Sequence, residues 1–156
     1  MQKWPYNNGG NRRNHQAFTL VELMIAVAVF LLAFIGILIS YLTCLDLNEM
    51  SRNTSMAVHA CKARLEAIQN TPFNQMKATY NGSTFTVSGL AGRGVSYVDD
   101  TNARLLQITV SVAWKQPTGR IIGEDIDLDG QLDGGEDKNG NGMLDSPVKI
   151  VTSIFQ

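Results

Sequence analysis

Two cysteines, two histidines and four prolines are all that the 156 residues hold of those types, and each shortage excludes something. Cys44 and Cys61 stand 17 residues apart. On one helix that is about 25 Å at ~1.5 Å per residue, whereas a disulfide needs Cα atoms within about 7 Å. An intrachain bridge is excluded unless the helix breaks between them. Of the histidines only His59 lies beyond the first 17 residues, so a hydrolase would lack its usual general base. Cys61 does not face His59 on a helix, being two residues away. It reads as a small core residue and His59 as a solvated one. No nucleophile–base pair and no phosphate loop is present, so no enzyme is expected. Basic residues are concentrated nowhere outside the first 17 residues, so no nucleic-acid partner is expected.

Charge is also short in one long stretch. From Leu23 to Ile39 no residue is charged or strongly polar. Phe18 to Leu42 would measure about 37 Å as a helix, enough for a hydrocarbon core of about 30 Å. The segment before it, residues 1–17, carries Lys3, Arg12 and Arg13 and no acid. That asymmetry predicts a cytoplasmic N-terminus and a head on the far side of the membrane. A cleaved secretory signal fits less well, because Tyr41-Leu42-Thr43-Cys44 lacks the small-residue pattern of its cleavage site.

One acid, Glu22, stands at the start of the apolar run. A carboxylate there is costly without a partner, by roughly 2.5–3.5 kcal/mol at mid-span and less near an end. A plain signal anchor gives it no reason to exist. Cleavage between Ala17 and Phe18 would. It would create a charged amine at Phe18, at the positive end of the helix dipole, able to neutralise Glu22 of a neighbouring copy in a packed assembly.

At these residues, Ala17/Phe18-Thr19-Leu20-Val21-Glu22-Leu23-Met24 followed by an apolar helix, the chain resembles the type IV pilin and type II secretion pseudopilin superfamily. The resemblance implies that prepilin peptidase cuts before Phe18 and N-methylates it. It also implies that Glu22 becomes the fifth residue of the mature chain, and that subunits polymerise through the N-terminal helix on an inner-membrane assembly platform. The family usually has glycine before the cut; here it is Ala17. More weakly, Ala57 to Phe73 and the strand ending in Trp114 resemble the PilV-type minor pilins and I-type minor pseudopilins.

The helical pattern runs on beyond the membrane half. Leu47, Thr54, Val58, Cys61, Leu65 and Ile68 make one stripe, and Asn70-Thr71-Pro72 supplies a stop. A single helix from Phe18 to about Asn70 is expected, apolar all round in its first half and amphipathic in its second. Leu106, Ile108, Val110, Val112 and Trp114 alternate with polar or small residues, as a half-buried strand does. Residues 83–88, 95–99 and 149–155 are further strands, the first two separated by Gly89, Gly92 and Gly94. The expected fold class is α+β and pilin-like: a long N-terminal helix on a small antiparallel sheet, with a calcium-loop insertion before the last strand.

That insertion is acidic. Residues 124–145 hold eight acids against Lys138 alone, a density that repels itself without a counter-ion. Asp125, Asp127, Asp129, Gly130, Asp133 and Glu136 match the twelve-residue calcium loop D-x-[DN]-x-[DN]-G-x5-E. Calcium takes six to eight oxygens: here the side chains of Asp125, Asp127, Asp129, Asp133 and Glu136, with the Gln131 carbonyl. A second loop repeats the pattern twelve residues on, through Asp137, Asn139, Asn141, Met143 and Asp145. Its closing position is Val148, which cannot ligate, so it is expected to bind weakly or to borrow Glu136 or Asp137. Leu132 and Leu144 are the matching apolar pegs expected to hold the loops together. No helices flank them, which argues against a calmodulin-like switch.

These readings divide the chain into a cytoplasmic leader (1–17), a transmembrane and assembly helix (18–44) and a periplasmic or extracellular head (45–156) with calcium loops at 124–146. The expected role is a minor pilin or pseudopilin whose head is stapled by Ca2+ in place of a disulfide. A calcium-dependent adhesin displayed on a filament, or a major pilin, stays open as the alternative.

Overall fold

The computed structural model describes residues 19–102 and 104–156; Ala17 and Phe18, the expected processing site, lie outside them. The chain divides into two compact units between Cys44 and Leu45. Helix α1 (Leu20–Gln69) contributes to both. Thr19 starts it: its Oγ1 accepts the Glu22 N–H at 3.2 Å and its carbonyl accepts the Leu23 N–H at 3.2 Å. That is the capping use of a threonine three residues before a glutamate. Glu22 thus lies in the first turn, where the helix dipole favours an anion. In the first unit the described residues are exposed, and this half of the helix is long and apolar enough to cross a membrane.

In the second unit, Leu45–Gln156, the amphipathic half of α1 packs on a sheet. Asn53, Ala57, Cys61 and Ile68 are its buried residues. Cys61 and Ile68 fulfil the expected stripe, and Val58 and Leu65 pack partly against the core. Leu47 does not belong to it and is exposed. The seam runs instead through Asn53 and Ala57, small enough to let the helix approach the strands. Cys61 Sγ lies 3.8 Å from the Val110 carbonyl. Burial pushes its thiol up to about 11, so it is an inert core residue, while His59 is exposed.

A short helix, α2 (Phe73–Tyr80), follows Pro72 and was not expected. Proline ends one helix because its ring disfavours helical conformation in the residue before it. Its own fixed φ, here −55°, suits the residue that opens the next. The Gln75 N–H returns to the Pro72 carbonyl at 2.9 Å, and Met76 is buried.

The sheet is antiparallel throughout: β1 (Ser83–Thr86), β2 (Gly92–Asn102), β3 (Leu105–Lys115), β4 (Ile121–Ile122) and β5 (Lys149–Phe155). Strand β3 is central. It pairs with β2 on one side and with β5 and then β4 on the other, with Val110 opposite both Ser96 and Ile150. The expected strands at 105–114 and 149–155 are present. The one at 83–88 stops at Thr86. The one at 95–99 is longer, so Gly92 and Gly94 lie inside it rather than in a turn. Close approach explains both glycines. A Cβ on Gly92 would collide with the Ala113 carbonyl and Trp114, and one on Gly94 with the Phe85 ring.

Leu106, Ile108, Val110, Val112 and Trp114 form the core with Ala57, Cys61 and Ile68. The opposite face of β3 was expected to be solvated. It is not: Thr109, Ser111 and Ala113 are buried too, and the long connection between β4 and β5 folds over Ser111 and Ala113. The second unit therefore has three layers, with the helix and the acidic connection on opposite faces of one sheet.

Candidate metal centre

The connection is anchored to the sheet at its second loop. The Ser111 hydroxyl donates to the Leu144 carbonyl at 2.6 Å, and the Leu144 N–H donates to the Tyr97 hydroxyl at 2.9 Å. The Val112 N–H reaches the Val148 carbonyl at 3.2 Å. Leu144 is 3 % exposed against this face, whereas Leu132 is 40 % exposed. The two leucines are therefore not a matched pair of pegs. Only Leu144 meets the sheet, where Ser111 and Tyr97 hold its backbone, and Leu132 points outward.

In the first loop each acid folds the backbone around itself. Asp125 Oδ2 accepts the Gly130 N–H at 3.0 Å, Asp127 Oδ1 the Asp129 N–H at 3.2 Å, and Asp129 Oδ1 the Gln131 N–H at 2.6 Å. Glu136 closes the loop, taking the Ile126 N–H on Oε1 at 2.7 Å and the Asp133 N–H on Oε2 at 3.1 Å. Gly130 has φ +80°, and a Cβ there would strike Thr84 and Arg93. Only glycine satisfies both the turn and the contact with the sheet. Arg93 Nε donates to the Leu128 carbonyl at 3.2 Å, tying the same turn to β2.

The folding brings the acids together. Carboxylate oxygens of Asp125, Asp127 and Glu136 lie within 4.8 Å of one another, and so do those of Asp127, Asp129 and Asp133. Asp127 belongs to both groups, which between them hold five side chains of the expected first loop. Gln131, expected to lend its carbonyl, is exposed, and its side-chain amide donates to Asp129 Oδ2 at 3.3 Å. Asp125 is 2 % exposed and Glu136 4 %, and Asp125 Oδ1 is buried with no hydrogen-bond partner. Burial raises the Asp125 pKa against the pull of the Leu128 and Gly130 N–H groups, and the charges of Glu136 and Asp127 raise it further. A hard cation is the group that fits such an oxygen: it would take the free lone pairs and cancel the repulsion.

The second loop has the same backbone and a different interior. Asp137 Oδ2 accepts the Gly142 N–H at 2.8 Å and Asn141 Oδ1 the Met143 N–H at 2.8 Å, as their counterparts do twelve residues earlier. Its last acid, however, is already paired. Asp145 Oδ2 accepts the side-chain amides of Asn139 and Asn141 at 2.7 and 2.9 Å, and Oδ1 pairs with Lys149 at 2.9 Å. Burial alone would raise the Asp145 pKa. The hydrogen bonds from Lys149, Asn139 and Asn141 and the Lys149 charge outweigh it and hold the pKa below the ordinary value.

Glu124 is a residue that sequence reasoning missed. Its Oε2 accepts the Asp145 N–H at 2.9 Å and its own N–H donates to the Asp145 carbonyl at 2.8 Å. Glu136 serves Asp133 in the same way in the first loop. The second loop was expected to borrow Glu136 or Asp137; the glutamate that meets Asp145 is Glu124. The signal was available, since Glu124 stands one repeat before Glu136 and precedes Asp125 as Glu136 precedes Asp137.

The family model of the prokaryotic N-terminal methylation motif matches residues 12–38. Neither a protein of characterised function nor a solved structure matches the chain. The motif implies assembly with other pilin subunits and cleavage by prepilin peptidase, and it supports a pilin or pseudopilin subunit. That motif, joined to a long N-terminal helix over a small antiparallel sheet, supports the type IV pilin and type II secretion pseudopilin superfamily.

Proposed function

We propose that the chain is a minor pilin or pseudopilin of the PilV or I type. On this reading it is cut between Ala17 and Phe18, methylated at Phe18, and assembled from the inner membrane through its N-terminal helix with Glu22 as the contact between copies. Residues 1–17 are the cytoplasmic leader, 18–44 the membrane and assembly segment, and 45–156 a head outside the cytoplasm. The head carries a calcium ion in the first loop, held by Asp125, Asp127, Asp129, Asp133 and Glu136, with the Gln131 carbonyl as a further oxygen. The second loop, Asp137 to Asp145, is the weaker site.

The observation that carries the calcium reading is Asp125 Oδ1: buried, unpartnered and among converging carboxylates. The ion would act as a staple. It would fix a connection from β4 to β5 that covers one face of β3, and ordering such a connection otherwise costs loop entropy. An affinity of roughly 10⁻⁴–10⁻³ M, as in extracellular modules, suffices outside the cell.

Thermal unfolding of the full chain in detergent, with calcium and with chelator, tests this reading. Calcium at about ten times its Kd adds about 1.4 kcal/mol and raises the midpoint by about 3–8 °C. Identical midpoints would remove calcium from the proposal, as would an Asp129→Ala chain that keeps the full calcium effect.

A further inference from the structure

Beside β1 the second unit holds an open groove of about 550 Å³. Its floor is apolar, built from Met56, Ala60, Ala63, Ala67, Phe85 and Val87, and Arg64 lies across it. The guanidinium carbon lies over two aromatic rings, 4.7 Å from the Tyr80 ring centre and 5.1 Å from that of Phe85. One amino group donates to Ser83 Oγ at 2.6 Å, but Nε is buried without a partner. Among the described residues the ion pairs are Lys77 with Asp100 and Lys149 with Asp145; none engages Arg64. Among the described residues, strand β1 is an edge, paired only with β2. The groove therefore offers an apolar bed, one desolvated cation without a carboxylate, and a free strand edge.

The complementary surface is on the other face of the same sheet. The acidic connection carries two large apolar side chains outward, Ile126 at 54 % exposure and Leu132 at 40 %, amid eight acids and one lysine. The sheet lies between this surface and the groove, so a chain cannot close the one on the other within itself. Two copies can.

We infer that the groove receives the acidic connection of a second copy, with Ile126 and Leu132 on the apolar floor and the negative loop against Arg64. Each copy offers one groove and one loop. The contact is thus heterologous, joining the groove of one copy to the loop of the next. The inference rests on the subunit reading and adds to the helix a second, head-to-head contact that fixes the order of copies.

Cross-linking of the full chain in membranes tests it, in a Cys44→Ser background that leaves only the buried Cys61. Copies carrying Ala63→Cys are mixed with copies carrying Gly134→Cys, a position with open space around it, and treated with a bismaleimide. A cross-linked dimer is expected in the mixture and not in either population alone. Its yield should fall about tenfold when Arg64→Gln is added to the groove copy or Ile126→Ser to the loop copy, the loss of one half-buried side chain or one ion pair. Ile126 is exposed, so its variant keeps the test valid if Arg64→Gln disturbs the fold. A yield equal to that of Ala63→Cys with a Thr101→Cys control, or a yield that both variants leave unchanged, overturns the inference. Co-purification of a tagged copy reports helix-borne assembly separately. Co-purification without the cross-link overturns the groove contact alone, and the loss of both overturns the subunit reading as well.

Discussion

Glu124 and Asp145 hold each other twice, the Glu124 N–H on the Asp145 carbonyl at 2.8 Å and the Asp145 N–H on Glu124 Oε2 at 2.9 Å. The pair joins the first residue of the acidic connection to the last acid of its second loop. It shuts a 22-residue excursion at its base, independently of any ion. Lys149 continues the line from Asp145 into β5, so the clasp transmits order from the loops to the strand that ends the sheet.

Glu124→Ala should therefore loosen the second loop even in chelator. The Asp145 N–H loses its acceptor, which costs about 1–3 kcal/mol for a partly buried donor. Hydrogen exchange would show it as faster exchange at Asp145 and Leu144, with the amides of β2 unchanged. Glu124→Gln keeps an acceptor oxygen and should restore most of the protection. Equal exchange in wild type and Glu124→Ala would mean that the clasp contributes nothing.

Asp125 gives a pH test with a definite sign. Burial raises its pKa above the ordinary 3.8, so the folded chain holds that proton more tightly than the unfolded one. In chelator this contribution is fully present below pH ~4 and is lost as pH rises through the raised pKa. Asp145 acts in the opposite sense: its lowered pKa stabilises above the ordinary value and is lost as pH falls. Asp125→Asn removes the first contribution only. In chelator it should be at least as stable as wild type at pH 7, and its stability should fall more steeply on acidification. In calcium the order should reverse, because the cation needs the carboxylate. Urea unfolding from pH 3.5 to 7, with and without calcium, reads all of this. A variant less stable than wild type in chelator at pH 7 contradicts the account.

Leu144 and Leu132 occupy equivalent places in the two repeats and should respond differently. Leu144→Ala removes a side chain packed on the sheet and should cost about 2–5 kcal/mol. Leu132→Ala alters an outward side chain and should stay within about 0.5 kcal/mol. Denaturant midpoints at constant m-value decide it. Equal losses would mean that the repeats are packed alike.

The repeat was legible in the sequence while its packing was not. The spacing of Asp125, Asp127, Asp129 and Glu136 depends only on local backbone, since each carboxylate reaches an N–H two to ten residues away. Local spacing is what a sequence displays. Which leucine meets the sheet depends on where Ser111 and Tyr97 stand, and they come from two other strands. The second buried face of β3 was hidden for the same reason: Ser111 is polar and reads as solvated, yet the connection covers it. Gly92 and Gly94 looked like turns because a glycine needed for close approach resembles one needed for a bend. Pro72 was read for what it ends, and not for the helix it opens.

At the other end of the chain, Glu22 has two explanations that one pair of variants separates. The structure gives it a local role, since it lies in the first turn of α1 with its N–H on Thr19 Oγ1. The proposed role is between copies, as the partner of the Phe18 amine. Capping belongs to the Thr19 oxygen and the backbone N–H, so Thr19→Val removes the cap and leaves the carboxylate in place. Glu22→Gln removes the charge and leaves the cap. If the carboxylate is the assembly contact, Thr19→Val copies should still co-assemble, while Glu22→Gln copies should be cut and inserted normally yet fail to join. Mass measurement of the N-terminus follows cleavage before Phe18, and cross-linking in membranes follows assembly. Co-assembly by Glu22→Gln at the wild-type level would leave the carboxylate as a helix-start residue alone. A chain still beginning at Met1, or cut elsewhere, would remove the amine that the pairing requires.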